Sequence, residues 1–217
     1  MNSKLGSLLI LAVAIALIGA ACGQVSTPTT ASTAPPAASG TKTLENLQTA
    51  YDGESNANAK YLEYAKKANE EGYAKVASLF RAAARAEEIH KVNHAKVISA
   101  LGGTPKAEIK MPEIKTTAEN LKAAIEGESY ERDKMYVDFL AEARTVGNKD
   151  AVRTFNFAKA AEAEHAKLYT EALANLEQWK GKATFLVCST CGYTTPDAKL
   201  EKCPVDFTAR EKFEEIN

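Results

Sequence analysis

The sequence predicts a mainly α-helical protein, a four-helix bundle followed by a small metal-binding β/loop domain. Apolar residues recur at helical spacing in four long stretches between residues 44 and 181. A Glu followed later by Glu-x-x-His occurs once in each half of that region, about 75 residues apart. The remaining tail carries three cysteines, two of them in a Cys-x-x-Cys motif. These observations divide the chain into a helical part and a short metal-binding part.

The chain opens with a segment, residues 1–22, that we expect to be an export signal. Lys4 precedes an uninterrupted apolar run over 8–18, and small residues lead to Cys22. The Gly-Ala-Ala-Cys ending fits a bacterial lipoprotein signal, with Cys22 lipidated and anchoring the chain to the membrane. Plain cleavage and an uncleaved anchor are the alternatives. We therefore expect an exported protein, a membrane-anchored lipoprotein of the cell envelope or periplasm.

Residues 23–43 are rich in Ser, Thr, Ala and Pro and have almost no bulky apolar residue. Because such a segment cannot form a core, we predict a flexible tether.

Four helices follow and form the predicted bundle domain, residues 44–181. The first runs from Leu44 to a break at Gly72, and the second continues to Leu101. The third runs from about 117 to 146, where Thr116 or Thr117 can cap it, and the fourth from about 149 to 179. Each is about 40 Å long at 1.5 Å per residue. Short joins within each pair and a longer central crossing indicate a ferritin-like bundle.

The repeated Glu-x-x-His motif supplies the candidate ligands of a two-metal site. On a helix, positions i and i+3 share a face, so Glu87 and His90 can bind one metal from a single turn, and the same spacing recurs in the second half. Glu131 adds an extra ligand, because Ala57 occupies the matching position of the first half. Four such helices have the known di-iron carboxylate layout. The candidates are Glu54, Glu87, His90, Glu128, Glu131, Glu162 and His165.

Carboxylates inside a bundle cost several kcal/mol each unless a positive charge is present, and two iron ions would supply it. The alternative is that these Glu side chains lie on solvated helix faces. We favour the metal site, because two of the three histidines close a Glu-x-x-His motif at matching points of the repeat. For the third, His94, we expect a place on the surface or behind the ligands, where it could orient His90 or a carboxylate.

The tail, residues 182–217, predicts a second metal site. Paired thiolates at Cys-x-x-Cys spacing bind tetrahedral iron or zinc. Asp206 stands where a fourth cysteine would complete the pattern, so three sulfurs and one carboxylate, or three sulfurs and water, could form the shell. A Cys188–Cys191 disulfide is the alternative in an exported protein. The candidate ligands are Cys188, Cys191, Cys203 and Asp206.

Taken in order, these motifs resemble the rubrerythrin family, a ferritin-like di-iron bundle followed by a rubredoxin-like domain, over nearly all of 44–217. The resemblance implies a non-haem di-iron peroxidase that reduces hydrogen peroxide to water in oxidative-stress defence. The rubredoxin-like iron would pass electrons to the di-iron pair. It also implies a homodimer in which one chain's rubredoxin-like centre lies near the other chain's di-iron site.

The resemblance also assigns roles within the site. Glu87 and Glu162 would bridge two irons, and manganese could occupy one or both positions. His90 and Glu131 would exchange as ligands of one iron when its redox state changes. Tyr61 and Tyr136 fit the site tyrosines of the family, where they would bond ligand carboxylates or supply a proton, although aromatic residues at helical positions are often core residues.

Two departures limit what the resemblance implies. Asp206 offers a hard oxygen, which could lower the potential of an iron centre, favour zinc or weaken metal binding, and we expect iron with an altered potential. An exported protein also needs an envelope electron donor, which the sequence does not identify.

Other functions stay open. They are a ferroxidase or iron-storage protein that uses oxygen, and a non-enzymatic envelope module that binds metal or carries electrons. The net charge of −1 argues against a nucleic-acid partner.

Overall fold

The structure is a computed structural model that describes residues 37–217, and four long helical segments form most of it. Helix α1 spans Ala37–Glu70 and α2 spans Ala74–Ala100. The third segment consists of α3, Thr117–Tyr130, a π-helix, Glu131–Met135, and α4, Tyr136–Thr145. The fourth is α5, Lys149–Ala174, followed by a 3₁₀ turn, Leu176–Trp179. The predicted fold class is confirmed, with the difference that a π turn interrupts the third segment.

The first helix begins earlier than predicted. The predicted export signal with Cys22 and residues 23–36 of the predicted tether lie outside the described residues, but residues 37–43 are helical. Thr43 is buried and donates a hydrogen bond to Glu142 on α4, at 2.9 Å. This contact stabilises the helix over residues 37–43, although their composition is typical of a flexible tether. Among the described helices, none is long and apolar enough to span a bilayer.

Local signals define the helix ends. Thr116 caps α3 in a capping box with Glu119, and the Asn148 side chain accepts from the Ala151 amide at the start of α5. After α4 the chain turns at Gly147, whose φ of 74° suits a residue without Cβ. The longer predicted crossing between the helix pairs, residues 101–116, joins α2 to α3.

The core of the bundle consists of two apolar clusters, and the predicted ligands separate them along the helical segments. One cluster includes Tyr61, Phe80, Leu121 and Tyr169, and the other includes Leu47, Ile98, Tyr136 and Phe155. On α1, for example, Glu54 lies between Ala50 of the second cluster and Ala57 of the first. A layer of carboxylates therefore crosses the middle of the bundle.

The C-terminal segment forms a three-stranded antiparallel sheet in the order β2-β1-β3. Its strands are β1, Phe185–Cys188, β2, Thr194–Thr195, and β3, Phe213–Ile216. Phe185 and Val187 pack into the first apolar cluster of the bundle. Arg85 on α2 makes a bidentate ion pair with Glu214 on β3, at 2.6 and 2.7 Å. These contacts hold the sheet against the bundle in one compact unit.

Candidate metal centres

The four helical segments bring two sets of metal-ligating side chains together. Within each set, one ligand atom from every residue lies within 4.8 Å of the others, and all the residues are buried. Glu87 and Glu162 belong to both sets, so their carboxylates lie where they can bridge two ions. The alternative of solvated Glu side chains is wrong. One set is Glu54, Glu87, His90 and Glu162, and the other is Glu87, Glu128, Glu162 and His165.

Both ligand histidines turn Nδ1 toward the carboxylates. His90 Nδ1 lies 2.9 Å from Glu87 and 3.1 Å from Glu162, and His165 Nδ1 lies 2.9 Å from Glu162. The Nε2 atoms face the C-terminal sheet: His90 Nε2 is 3.0 Å from the Cys191 carbonyl, and His165 Nε2 is 3.1 Å from the Thr194 hydroxyl. Because a carbonyl only accepts, His90 carries its proton on Nε2, which leaves Nδ1 free to bind a metal.

Thr194 orients the second histidine in the same way. Its hydroxyl donates to the Gly192 carbonyl at 3.0 Å, so its oxygen is left to accept from His165 Nε2. Sequence analysis missed Thr194 and the Cys191 carbonyl as partners, because their approach depends on how the sheet docks and leaves no signal in the sequence.

Each of the two predicted tyrosines donates to a carboxylate from the opposite half of the repeat. Tyr61 on α1 donates to Glu128 at 2.6 Å, and Tyr136 on α4 donates to Glu54. Both side chains are also buried in the apolar core, so each tyrosine is a core residue as well as a partner of a ligand carboxylate.

His94 is fully buried rather than at the surface, and it lies behind the ligand set. Its Nε2 is 3.2 Å from the Tyr136 hydroxyl and its Nδ1 is 2.9 Å from the Thr154 hydroxyl. Burial lowers the pKa of His94 below its usual value, despite the opposing effect of Glu54, so the imidazole is neutral.

The clustered carboxylates perturb one another strongly. Burial and the charge of Glu162 raise the pKa of Glu87 well above its ordinary value. For His165, burial opposes protonation, but hydrogen bonds and charges from Glu128 and Glu162 outweigh it and raise the pKa to about 9. Without a cation, this cluster retains protons.

Unpaired buried atoms show that the donors fit metal ions. Three carboxylate oxygens of the two sets are buried with no hydrogen-bond partner among the described residues, and such groups are rare in folded proteins. Carboxylate oxygen and imidazole nitrogen are ligands that iron accepts. These atoms are Glu54 Oε2, Glu87 Oε1 and Glu128 Oε2.

Glu131, the seventh predicted ligand, lies outside both sets. It begins the π-helix and is partly exposed, and its Oε1 lies beside Gly53, 3.7 Å from where a Cβ would stand. Burial of its carboxyl group and the charge of Glu54 raise its pKa well above the ordinary value. The structure therefore has His90 in a donor set and Glu131 outside both sets, with its carboxylate beside Gly53.

A one-residue difference between the repeats accounts for the π-helix. Tyr61 follows Glu54 by seven residues, whereas Tyr136 follows Glu128 by eight. Eight residues of regular α-helix would rotate Tyr136 about 80° from Glu128, and absorbing one residue in a π turn returns it to within about 20°. The unequal spacing is the signal that sequence analysis overlooked.

The three cysteines form a second centre with Asp206. Their ligand atoms lie within 4.8 Å of one another, and Cys188 Sγ is 3.5 Å from Asp206 Oδ2. All three cysteines are free, so the Cys188–Cys191 disulfide is not formed. Hydrogen bonds from Cys191 and Cys203 lower the pKa of Cys188, which favours the thiolate that metals bind.

Asp206 takes the place of a sulfur in an otherwise regular pair of turns. In the first turn Gly192 N–H donates to Cys188 O, and in the second Phe207 N–H donates to Cys203 O. Asp206 therefore corresponds to Cys191, and Phe207 corresponds to Gly192. Both turns need positive φ, 78° at Gly192 and 63° at Phe207, which costs a residue with a Cβ roughly 1 kcal/mol or more. Asp206 Oδ1 accepts from Thr208 N–H at 2.9 Å, which leaves Oδ2 to face the sulfurs.

Ferritin-like di-iron carboxylate proteins have this arrangement of helices and donors, and a rubredoxin-like domain has the strands and cysteines that follow it here. The chain is a protein of that class. A model of the Rubrerythrin family matches residues 45–173. The chain belongs to the rubrerythrin family, and it is therefore an oxidoreductase with a di-iron site, of a family that acts in oxidative stress.

Curated relatives match most of the chain. Nigerythrin of Nitratidesulfovibrio vulgaris is 38% identical over 172 residues, which are 79% of this chain and 85% of the relative. Rubrerythrin-2 of Clostridium acetobutylicum is 34% identical over 183 residues, 79% of this chain and 95% of the relative.

Solved structures agree with this assignment. The fully reduced, all-ferrous state of nigerythrin superimposes with a TM-score of 0.75 at 36% identity, covering 80% of this chain and 86% of that one. A bacterioferritin of Desulfovibrio desulfuricans, at 22% identity and a TM-score of 0.59 over 65% of this chain and 83% of that one, shares the fold.

Gly192→Ala should separate the sheet from His90. A Cβ at 192 would overlap the His90 ring, whereas one at Gly147 meets nothing within 4 Å, and both glycines have positive φ. We expect the bundle to lose about 10- to 100-fold in metal affinity in Gly192→Ala relative to Gly147→Ala, because His90 loses the partner of its Nε2. Chelator competition measures the affinity. Equal affinities in the two variants would contradict this role of Cys191.

Metal binding should release protons from the bundle. With a pKa of about 9, His165 is protonated at pH 7.5 in the metal-free protein, and a bound metal must displace that proton. We expect proton release by Zn²⁺ binding to fall by about one in His165→Gln, and the difference to shrink as the pH rises past 9, where the parent has already lost the proton. Calorimetry in buffers of different ionisation enthalpy measures this. An identical proton count in parent and variant at pH 7.5 would refute it.

Proposed function

We propose that this protein is a non-haem di-iron peroxidase that reduces hydrogen peroxide to water, with electrons relayed by the C-terminal centre. The observation that carries the proposal is the contact between the two centres: the first cysteine turn is hydrogen-bonded to His90, and the strand that follows it, β2, is hydrogen-bonded to His165. A pair of ferrous ions supplies two electrons to one O–O bond, so no free hydroxyl radical is formed.

The carboxylates of the bundle would bind the two ions in two ways, as terminal ligands and as bridges. Glu54 and Glu128 would be the terminal carboxylates, held by Tyr136 and Tyr61, and Glu87 and Glu162 would bridge the ions. A bridging carboxylate balances the positive charge and can change its binding mode as the charge of the ions changes. Manganese at one or both positions would use the same donors.

Glu131 and His90 would be alternative ligands of one ion. Gly53 has no side chain to block the Glu131 carboxylate, which lies against it beside Glu54. A hard oxygen ligand suits the ferric state better than imidazole does, so exchange of His90 for Glu131 would follow oxidation.

The electron path runs through Cys191. Its sulfur belongs to the cysteine centre and its carbonyl accepts the Nε2 proton of His90, whose Nδ1 faces Glu87 and Glu162. A few covalent bonds and one hydrogen bond therefore join the centres within one chain. The protein would be a homodimer. Two chains that exchange C-terminal domains would make the same hydrogen bonds between the first cysteine turn, β2 and the ligand histidines, with the partners on different chains.

The remaining parts of the proposal come from the N-terminal sequence. Export, lipidation at Cys22 and attachment to the envelope membrane would place the peroxidase where an envelope electron donor has to reduce it. The donor would react at the cysteine centre.

A ferroxidase would use the same bundle ligands with oxygen, but it gives no role to the cysteine centre, whose Cys191 carbonyl is bonded to His90. We expect the diferrous protein to be oxidised at least tenfold faster by peroxide than by oxygen in stopped-flow mixing, because two electrons from the metal pair break the O–O bond of peroxide in one event. The C-terminal centre should then re-reduce the bundle. Cys203→Ser, which removes one sulfur of that centre, should leave the first oxidation intact and abolish re-reduction. Preference for oxygen with ferric accumulation would indicate a ferroxidase, and no reaction with either would indicate a binding module.

Asp206 should lower the potential of an iron at the cysteine centre, because a carboxylate favours ferric over ferrous iron more than a thiolate does. We expect Asp206→Cys to raise the midpoint potential and strengthen the sulfur-to-iron absorption bands, with iron content kept. Asp197→Cys, which adds a thiol at an exposed position of the same domain, is the control. If Asp206→Ala has the parent's potential and spectrum, Asp206 is not a ligand.

A further inference from the structure

A line of hydrogen bonds leads from the protein surface to the di-iron site. It begins at a cavity of about 350 Å³ between α2, α5 and the first cysteine turn, lined by Asn93, Lys96, Arg153, Thr154 and Thr190 among others. The Thr154 hydroxyl is 2.9 Å from His94 Nδ1, and His94 Nε2 is 3.2 Å from the Tyr136 hydroxyl. Tyr136 in turn donates to Glu54 Oε1. Each member touches the next.

In each of these hydrogen bonds, the donor is the group nearer the cavity and the acceptor is the group nearer Glu54. Tyr136 gives its proton to a carboxylate, so its oxygen is left to accept from His94 Nε2–H. A neutral imidazole with its proton on Nε2 has an acceptor at Nδ1, so the Thr154 hydroxyl donates to it. One arrangement of protons therefore satisfies every group, and it is directed from the cavity to Glu54.

Peroxide reduction needs protons in a site from which water is excluded. Breaking the O–O bond of H₂O₂ with two electrons from the metal pair consumes two protons and yields two waters. Glu54, Glu87, Glu162 and His165 have no exposed surface, whereas Thr154 is 5% exposed and lines the cavity.

We propose that Thr154, His94 and Tyr136 form a proton relay that carries protons from the surface cavity to Glu54. The proposal rests on the peroxidase function, which supplies the need for protons. Water in the cavity gives a proton to the Thr154 oxygen, Thr154 passes its own to His94 Nδ1, His94 Nε2 passes one to Tyr136, and Tyr136 passes one to Glu54. One proton enters for each that arrives, and no group along the line keeps an extra charge. Each pass leaves His94 protonated on Nδ1 and the Thr154 and Tyr136 hydroxyls turned outward, so the ring and both hydroxyls rotate back before the second proton passes.

The other tyrosine provides an internal comparison. Tyr61 also donates to a terminal carboxylate, but the rings of Tyr64, Phe80 and Tyr169 surround it. In both halves of the bundle a tyrosine therefore donates to a terminal carboxylate, but the groups behind the two tyrosines differ. Tyr61 has aromatic rings behind it, whereas Tyr136 has His94, which leads to the cavity.

The relay can be tested without turnover, in protein loaded with redox-inactive Zn²⁺. Nitrogen-15 NMR should find His94 with its proton on Nε2, and we expect exchange of that proton with D₂O to slow at least tenfold in Thr154→Val. Thr154→Ser, which keeps a hydroxyl, should restore the rate. Thr117→Val is the matched control, because the Thr117 hydroxyl is buried and has no hydrogen-bond partner among the described residues.

A second measurement separates a relay from a structural contact. His94→Gln keeps a donor and an acceptor but cannot pass a proton from one to the other, so we expect metal content to stay at the parent's value while single-turnover oxidation by peroxide slows at least tenfold. A proton on Nδ1, unchanged exchange in Thr154→Val, or a parent rate in His94→Gln would overturn the relay. If exchange behaves as expected but peroxide does not oxidise the diferrous protein, the relay stands and the peroxidase function fails.

Discussion

The repulsion among four buried carboxylates is the constraint on which the rest of the bundle depends. Taking each ionised group out of water costs several kcal/mol, and a folded domain is stable by only about 5–15 kcal/mol in total. Two apolar clusters, one toward each end of the helices, hold Glu54, Glu87, Glu128 and Glu162 together in spite of this cost. The upward shift of the Glu87 pKa and the protonation of His165 are the response of the cluster when no cation balances it. Two divalent ions would remove both effects, so metal binding and stability are coupled here.

The C-terminal sheet completes the di-iron site as well as carrying its own centre. An imidazole that binds metal through Nδ1 needs a partner for Nε2–H, and the bundle provides none for His90 or His165. Both partners, the Cys191 carbonyl and the Thr194 hydroxyl, belong to the first cysteine turn and the strand that follows it. Cys191, which would hold the C-terminal metal, therefore also fixes the orientation of His90, and Thr194 close by fixes that of His165, so the two centres are connected.

The sequence predicts correctly those ligand pairs whose members lie one helical turn apart. Glu87 with His90, and Glu162 with His165, share a face whatever surrounds them, so their grouping follows from spacing alone. What it misses depends on contacts between distant segments. For His94 the sequence left two places open, the surface or behind the ligands, because its neighbours Tyr136 and Thr154 come from other helices. The start of α1 at Ala37 likewise depends on Thr43 reaching Glu142, 99 residues away. Composition cannot reveal either contact.

The asymmetry of the site comes from a single residue. From tyrosine to the first Glu of Glu-x-x-His, the spacing is 26 residues in both halves, so the extra residue of the second half lies between Glu128 and Tyr136, where the π-helix is. A regular helix of that length would turn Tyr136 away from the carboxylates, and the π turn keeps it bonded to Glu54. The same turn begins at Glu131, which the first half replaces with Ala57. One insertion thus preserves the twofold pattern of tyrosines and carboxylates while the second half alone carries a further carboxylate. That carboxylate lies beside Gly53, so the proposed exchange of His90 for Glu131 would change the ligands of one ion and leave those of the other as they are.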